Sequence, residues 1–211
     1  MINVCAILIA YNPCLSVTPK AIFAIADQVD KVYVIDNGSK VPFDGYLDDF
    51  KNVECISLAC NLGIAAAFNV GIKAASKAGY KYAVLLDQDS LSPENMVSRY
   101  LEVARSSASD KNVAVIGPRY RDPKTQHTSR FVRYNWFRNS YHGGFDEASC
   151  VKADFLISSG SFFELSVFEM IGLFDESLFI DHVDTEWCHR ARNLGFYCLG
   201  VWDVIMEHSL G

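Results

Sequence analysis

The sequence predicts an α/β fold built on a mostly parallel central sheet with helices on both faces. Short apolar runs recur at 4–10, 31–35, 53–58, 82–86 and 113–116. Runs this short, without polar alternation, are typical of strands covered on both sides. Helix-like stretches stand between several of them, and that alternation implies parallel crossovers. Three of the runs stop abruptly on polar residues, as strands feeding surface loops do.

Taken in order, 4–10 is a buried strand ended by Tyr11-Asn12-Pro13, and 18–29 reads as a helix. The β-branched run 31–35 stops at Asp36-Asn37-Gly38-Ser39, a strong turn signal. A third short strand spans 53–58. Asn61-Leu62-Gly63 opens a helix to about residue 78, with Ile64, Phe68 and Ile72 on one face and Gly79 as its stop. The strand at 82–86 runs into Asp87-Gln88-Asp89-Ser90. Ser92 is expected to cap the next helix, with Pro93 at its first position. After the strand at 113–116, residues 119–147 show no clear period; they are aromatic and basic, with Arg119, Arg121, Arg130, Arg133 and Arg138. A segment of this kind is expected to be functional or mobile. Regular structure resumes at 151–158, with strand signals at 196–201 and 204–207 and helix signals at 166–171 and 184–193.

Half of the 211 residues are hydrophobic, enough for one substantial core and a single domain over 1–211. A formal net charge of -6 argues against a general nucleic-acid-binding face. An anionic diphosphate bound here needs local neutralisation by a metal, backbone N–H groups or a few Arg and Lys. The seven cysteines are odd in number and form no C-x-x-C pair. They read as buried, reduced thiols of a cytoplasmic protein. The apolar start lacks a basic flank and a cleavage site, and no run of about 18 apolar residues spans a bilayer. Peripheral membrane contact stays open.

Ligands of open α/β sheets bind beyond the carboxyl ends of the strands. Tyr11-Asn12, Asp36-Asn37 and Asp87–Ser90 all stand at such ends. Asp87 and Asp89 are the sharpest pair, since two carboxylates beside a buried strand are costly without compensation. A hard divalent cation such as Mg2+ or Mn2+ suits them and accepts phosphate oxygens in the same shell; a solvated, helix-capping turn is the plainer reading. Asp36 can accept from a uracil or thymine N3–H, or merely form its turn. The helix opened by Asn61-Leu62-Gly63 can attract phosphate at its N-terminus, or carry an ordinary cap. Asp181, Asp184 and Glu186 stand near Phe179, Ile180 and Trp187. A half-buried carboxylate there is expected to have a raised pKa and to serve as general base; dipole-stabilising acids at a helix start are the alternative. His208 is either a metal or phosphate ligand or a structural residue.

Other classes fit less well. A nucleotidyltransferase calls for a Gly-rich basic loop after the first strand, and a dinucleotide-dependent oxidoreductase for G-x-G-x-x-G; residues 10–14 are neither. A non-catalytic nucleotide-sugar-binding module is the non-enzyme alternative.

These clusters, in this order, resemble the family 2 inverting glycosyltransferases of the GT-A fold. The resemblance is greatest to bacterial rhamnosyltransferases of O-antigen and other cell-surface polysaccharides. It rests on Tyr11-Asn12-Pro13, Asp36-Asn37-Gly38-Ser39, Asn61-Leu62-Gly63-Ile64-Ala65, Asn69-Val70-Gly71-Ile72, Leu86-Asp87-Gln88-Asp89-Ser90 and Ser159-Gly160-Ser161. Phe174-Asp175-Glu176, Phe179-Ile180-Asp181, Val183-Asp184-Thr185-Glu186 and His208-Ser209-Leu210-Gly211 complete it.

The resemblance implies that a sugar, rhamnose from dTDP-rhamnose or another sugar from a UDP donor, passes to a glycan or lipid-linked glycan. It places Tyr11, Asn12, Asp36, Asn37, Asn61, Gly63, Asn69, Asp87 and Gln88 at the nucleotide-sugar, with Asp36 on the pyrimidine. Asp87, Asp89 and His208 become the metal and diphosphate ligands. Asp184 matches the family's base, counted back from Arg190, but Val183 stands where Glu is common, so Asp181 is a rival. The implied division is a nucleotide-sugar half, 1–118, and an acceptor and catalytic half, 119–211. The family pattern runs on past His208-Ser209-Leu210-Gly211, so part of the acceptor side is expected to lie beyond Gly211. Tyr134, Trp136 and Phe137 are expected either to close over the donor or to face the acceptor sugar, unless 119–147 is only a surface excursion.

Overall fold

A computed structural model of the chain describes residues 2–41, 44–47, 50–110, 112–135, 138–142 and 150–208. Trp136, Phe137, Gly143, Gly144 and residues 209–211, singled out above, lie outside these.

The first half alternates strand and helix as expected. β1 (Val4–Ala10), α1 (Thr18–Ala26), β2 (Lys31–Asp36), β3 (Val53–Ser57), α2 (Ile64–Lys77), β4 (Tyr82–Asp87) and α3 (Met96–Ser106) follow one another. The second half holds β5 (Val113–Arg121), β6 (Phe131–Asn135), β7 (Arg138–His142), β8 (Cys150–Ala153), β9 (Phe162–Glu164), α4 (Val167–Ile171), α5 (Val183–Asn193) and β10 (Tyr197–Glu207). Among the described residues, eight strands form one sheet in the order β3-β2-β1-β4-β9-β5-β10-β8, and β6 and β7 pair separately. β1, β2, β3 and β4 run parallel, as do β5 and β10. β9 is antiparallel to both its neighbours, and β8 to β10.

Alternation along β1 sorts the core into two layers. Val4, Ala6, Leu8 and Ala10 face Ile22 and Ile25 of α1 and Val97 and Tyr100 of α3. Cys5, Ile7 and Ile9 face Phe68 and Ile72 of α2, and that layer continues through Phe163, Phe168, Phe174 and Trp187. Helices therefore cover both faces. α2 lies unusually close to the sheet, because a Cβ on Gly71 would meet Ile7 Cγ2 at 2.3 Å. Among the described residues no helix is long and apolar enough to cross a membrane.

Several expectations need correction. Residues 119–147 are not without regular structure: β5 runs on to Arg121, and β6 and β7 follow. The two late strands are one, β10, whose pairing with β5 slips between Val201 and Ile205. That irregularity, at Trp202-Asp203, split the apolar run. α3 starts at Met96, and the Ser92 hydroxyl is buried without a partner, so Ser92 caps nothing. None of the seven cysteines is in a disulfide, as expected, but Cys14 and Cys60 are exposed and Cys55 and Cys150 only partly buried.

Candidate active site

Parallel register brings the three polar clusters together. Ala10 pairs with Asp36, and Ile9 with Asp87, so β1, β2 and β4 end at the same level of the sheet. Beyond that edge lies a cleft of about 350 Å³. Tyr11, Asn37, Asn61, Gly63, Asp87, Gln88, Asp89 and His208 line its polar side, and Ile9, Ile64 and Ile180 its apolar side. A hollow of about 380 Å³ opens at the other end of the sheet, near Lys81, Val113 and Met170. It lacks paired strand-end carboxylates, so the chemistry selects the first cleft.

Asp87 ends β4 with its side chain 26% exposed. Burial pushes its carboxyl up to about 6; His208 and the Ser159 hydroxyl offset part of this, while Asp89 and Asp184 add to it. β10 delivers His208 from the far end of the chain: Glu207 bridges Leu91, and His208 N–H donates to Arg121 O at 3.1 Å. Its Nε2 stands 3.9 Å from Asp87 Oδ2 and its Nδ1 3.9 Å from Asp89 Oδ1. The imidazole is therefore flanked by the two carboxylates, with the Tyr120 ring edge-on at 6.3 Å.

Asn37 and Asn61 build the opposite wall. Asn37 Nδ2 donates to Asn61 Oδ1 at 3.0 Å and to Gly63 O at 3.2 Å, and Asn37 Oδ1 accepts from Leu62 N–H. Asn61 Oδ1 accepts from Gly63 N–H, and Ile64 N–H donates to Phe179 O at 2.6 Å. These protein partners already occupy the amides of residues 62–64. The opening of α2 thus holds the Phe179–Ile180 loop in place, with the N–H groups of residues 62–64 engaged inside the protein. Gly63 is required at this seam: its φ is +86°, and a Cβ would meet Phe179 O at 2.5 Å.

Asn12 and Asp36 brace the turn beyond β1 and β2. Asn12 N–H donates to Ser39 Oγ, Asn12 Oδ1 accepts from Lys40 N–H, and Asp36 Oδ1 accepts from Ser39 N–H. Gln88 Oε1 accepts from Tyr11 N–H at 2.9 Å, tying the ends of β1 and β4. Asn69, expected at the nucleotide, lies elsewhere. It is 1% exposed, donates to Phe174 O and Glu176 Oε1, and accepts from Phe174 N–H. A buried amide satisfied by a backbone 105 residues away is structural.

Asp184, at the start of α5, is half-buried and anchored. Oδ2 accepts from Ser158 N–H at 3.2 Å, and Oδ1 from Thr185 N–H at 2.7 Å. Asp181 is exposed. The next residue after Ser158 is Ser159, whose Oγ accepts from Asp87 N–H at 3.1 Å. One dipeptide therefore spans Asp184 and Asp87. In the sequence Ser159 stood out only within Ser159-Gly160-Ser161, with no role attached, and Ser158 not at all. Ile180 is 60% exposed at the cleft and was likewise missed as a lining residue. Arg190 pairs with Glu186 as its spacing suggested, and also donates to Ile171 O and Leu173 O.

The sequence profile described as "Glycosyl transferase family 2" matches residues 5–172. The chain is 31% identical over 211 residues to the dTDP-rhamnosyl transferase RfbF of Shigella flexneri, covering 99% of this chain and 70% of that one. Two solved structures share the fold. GalNAc-T7 with UDP, GalNAc and Mn2+ superposes with a TM-score of 0.78 at 13% identity, over 98% of this chain and 44% of that one. S. aureus TarS superposes with 0.62 at 14% identity, over 99% and 35%. The chain thus spans less than half the length of either solved neighbour. At such identities the likeness shows the fold alone, which is of the GT-A type.

Proposed function

The chain belongs to glycosyl transferase family 2, and from that premise we propose that it transfers rhamnose from dTDP-rhamnose, with inversion, to a glycan or lipid-linked glycan. The observation that carries this is the meeting of Asp87, Asp89 and His208 at one cleft, with the anchored carboxylate of Asp184 tied in through Ser158-Ser159. The donor's nature rests on the relative named above. A uridine donor presents the same N3–H, so it is the competing substrate in the test below.

Among the described residues no three His, Cys, Asp or Glu already form a closed metal cage. The donor set nonetheless fits a divalent ion that keeps positions for phosphate. Asp87 and Asp89 are hard oxygen ligands, His208 adds an imidazole, and the raised proton affinity of Asp87 marks a buried charge without enough compensation. Such an ion supplies charge neutralisation on the leaving diphosphate. The chain's own residues do the rest. Asp36, with Oδ1 held by its turn, offers its other oxygen to the pyrimidine N3–H, and Tyr11 and Asn37 flank the nucleoside. Gln88 and Asn61 keep the walls at their spacing. Asp184 takes the proton from the acceptor hydroxyl as that oxygen attacks the anomeric carbon from the face opposite the diphosphate. Its two hydrogen bonds hold the carboxylate in one orientation, whereas Asp181 is exposed.

Residues 1–118 serve the nucleotide-sugar and 119–211 the acceptor and base, with His208 returning from the second half to the first. We place the enzyme peripherally at the cytoplasmic face of a membrane, where lipid-linked acceptors present their glycans. The test is transfer from dTDP-rhamnose and from UDP-hexoses to a rhamnose-acceptor glycan, using the protein and its Asp184→Asn variant. The expected result is inverted product from dTDP-rhamnose only, lost in the variant while dTDP affinity holds. Equal use of UDP donors would overturn the donor assignment.

A further inference from the structure

The turn at residues 158–161 is held from the side of the sheet opposite α5. Ser161 N–H donates to Ser158 O at 3.0 Å and closes the turn. Gly160 N–H donates to Leu85 O at 2.7 Å, and Leu85 N–H to Ser161 O at 2.9 Å, so the turn is laced to β4 two residues before Asp87. A Cβ on Gly160 would meet Pro118 Cγ at 2.7 Å and Met206 Sδ at 2.9 Å, so β5 and β10 press on it too. Gly160 O accepts from the Tyr100 hydroxyl of α3 at 2.9 Å. Tyr100 is 0% exposed, in the layer of α1 and α3, with its ring tilted against Phe162 at 5.4 Å. Gly160 is buried as well, so no bulk water replaces the hydroxyl if it is lost.

The turn carries two donor–acceptor contacts to the site. Its first residue gives its N–H to Asp184 Oδ2 at 3.2 Å, and its second takes Asp87 N–H on Ser159 Oγ at 3.1 Å. The two carboxylates depend on it unequally. Asp87 is the last residue of β4 and pairs with Ile9 of β1, so the ladder fixes its backbone whether or not Ser159 is in place. Asp184 lies in the first turn of α5, and Ser158 N–H ties it to the sheet. Its contacts with the N–H and hydroxyl of Thr185 are local and move with it.

We propose that Tyr100 is a positioning residue for the transfer: through Gly160 O it fixes the Ser158 N–H that aims the Asp184 carboxylate. The base on one face of the sheet is thus set by a helix on the other. The consequence for turnover rests on the reading of Asp184 as general base; the hydrogen bonds themselves do not.

Tyr100→Phe keeps the ring and removes the donor. Val103→Ala, one turn along α3, truncates the same layer and controls for lost stability. Two readouts are taken on each variant: the Ser158 amide proton in ¹H–¹⁵N spectra of the unliganded protein, identified with Asp184→Asn, and the kinetics of rhamnose transfer. A carboxylate acceptor draws an amide proton downfield. Tyr100→Phe should move the Ser158 signal upfield, towards its position in Asp184→Asn. It should lower kcat about fivefold or more while donor KM and dTDP affinity hold. Val103→Ala should change neither, although it too lowers Tm. An unmoved Ser158 signal in Tyr100→Phe, or the same kcat loss in Val103→Ala, overturns the proposal. A moved signal with unchanged kcat also overturns it where Asp184→Asn is inactive. Where Asp184→Asn stays active, a moved signal upholds the tie and overturns the base reading instead.

Discussion

Asp87 is held where its charge is poorly compensated, and this makes its protonation a measurable signature. Its folded-state pKa of about 6 lies above the ordinary carboxylate value near 4. The folded protein therefore keeps this proton to higher pH than the unfolded chain does. The penalty is present in full above about pH 6 and vanishes below about pH 4. Asp87→Asn should be more stable than the unmodified protein at pH 7, by about 1–2 kcal/mol once partial exposure is allowed for. The advantage should shrink by pH 5 in urea denaturation without metal; a constant difference would show that Asp87 is not strained. Asn69 supports the fold instead. Asn69→Ala leaves Phe174 N–H and C=O unpaired and should cost about 2–3 kcal/mol, with dTDP affinity of the folded protein unchanged by calorimetry. At this scale the sequence was legible where chemistry was expensive. Carboxylates beside a buried strand must have a reason, so Asp87 and Asp89 stood out. An asparagine within a helix looks the same whether it meets a ligand or a backbone from another part of the chain, and Asn69 was misplaced for that reason. Ser90 and Ser159 stood in motifs without a role, because their contacts join residues 69 and 118 apart in sequence.

Elements place the side chains of the proposed site, and two seams matter most. At the first, α2 opens against the Phe179–Ile180 loop, through Ile64 N–H to Phe179 O. Gly63→Ala forces a side chain into Phe179 at a positive φ and should cost about 1–3 kcal/mol. In a chain of this length that lowers Tm by about 2–4 °C per kcal/mol. A variant with unchanged Tm would show that the seam is loose. At the second, Arg190 fastens α5, which carries Asp184, to the chain after α4 through Ile171 O and Leu173 O. A lysine has no planar fork to reach both carbonyls and Glu186 together. Arg190→Lys should therefore lose about 1–2 kcal/mol in denaturation and lower kcat more than donor affinity. Regular elements with several turns or a continuous apolar run were legible from period alone. The three residues of β9 were too few to show one, and β6 and β7 hid among arginines and aromatics because their stabilisation comes from pairing.

Across the whole molecule, the parallel register of β1, β2 and β4 does the gathering, and β10 closes the cleft with the last described residue, His208. Asp184 reaches the same edge through the turn that carries Ser158 and Ser159. The architecture thus gathers Asp87, Asp89, His208 and Asp184, the proposed clamp and base, from segments about 120 residues apart. The central claim is that Asp87, Asp89 and His208 form a metal-assisted diphosphate clamp. It is tested most directly by calorimetry of dTDP binding with Mn2+ and with chelator, in the unmodified protein and in Asp89→Ala. The account predicts strong dependence on Mn2+ in the first and weak, metal-independent binding in the second; equal affinity with and without Mn2+ in the unmodified protein would contradict it.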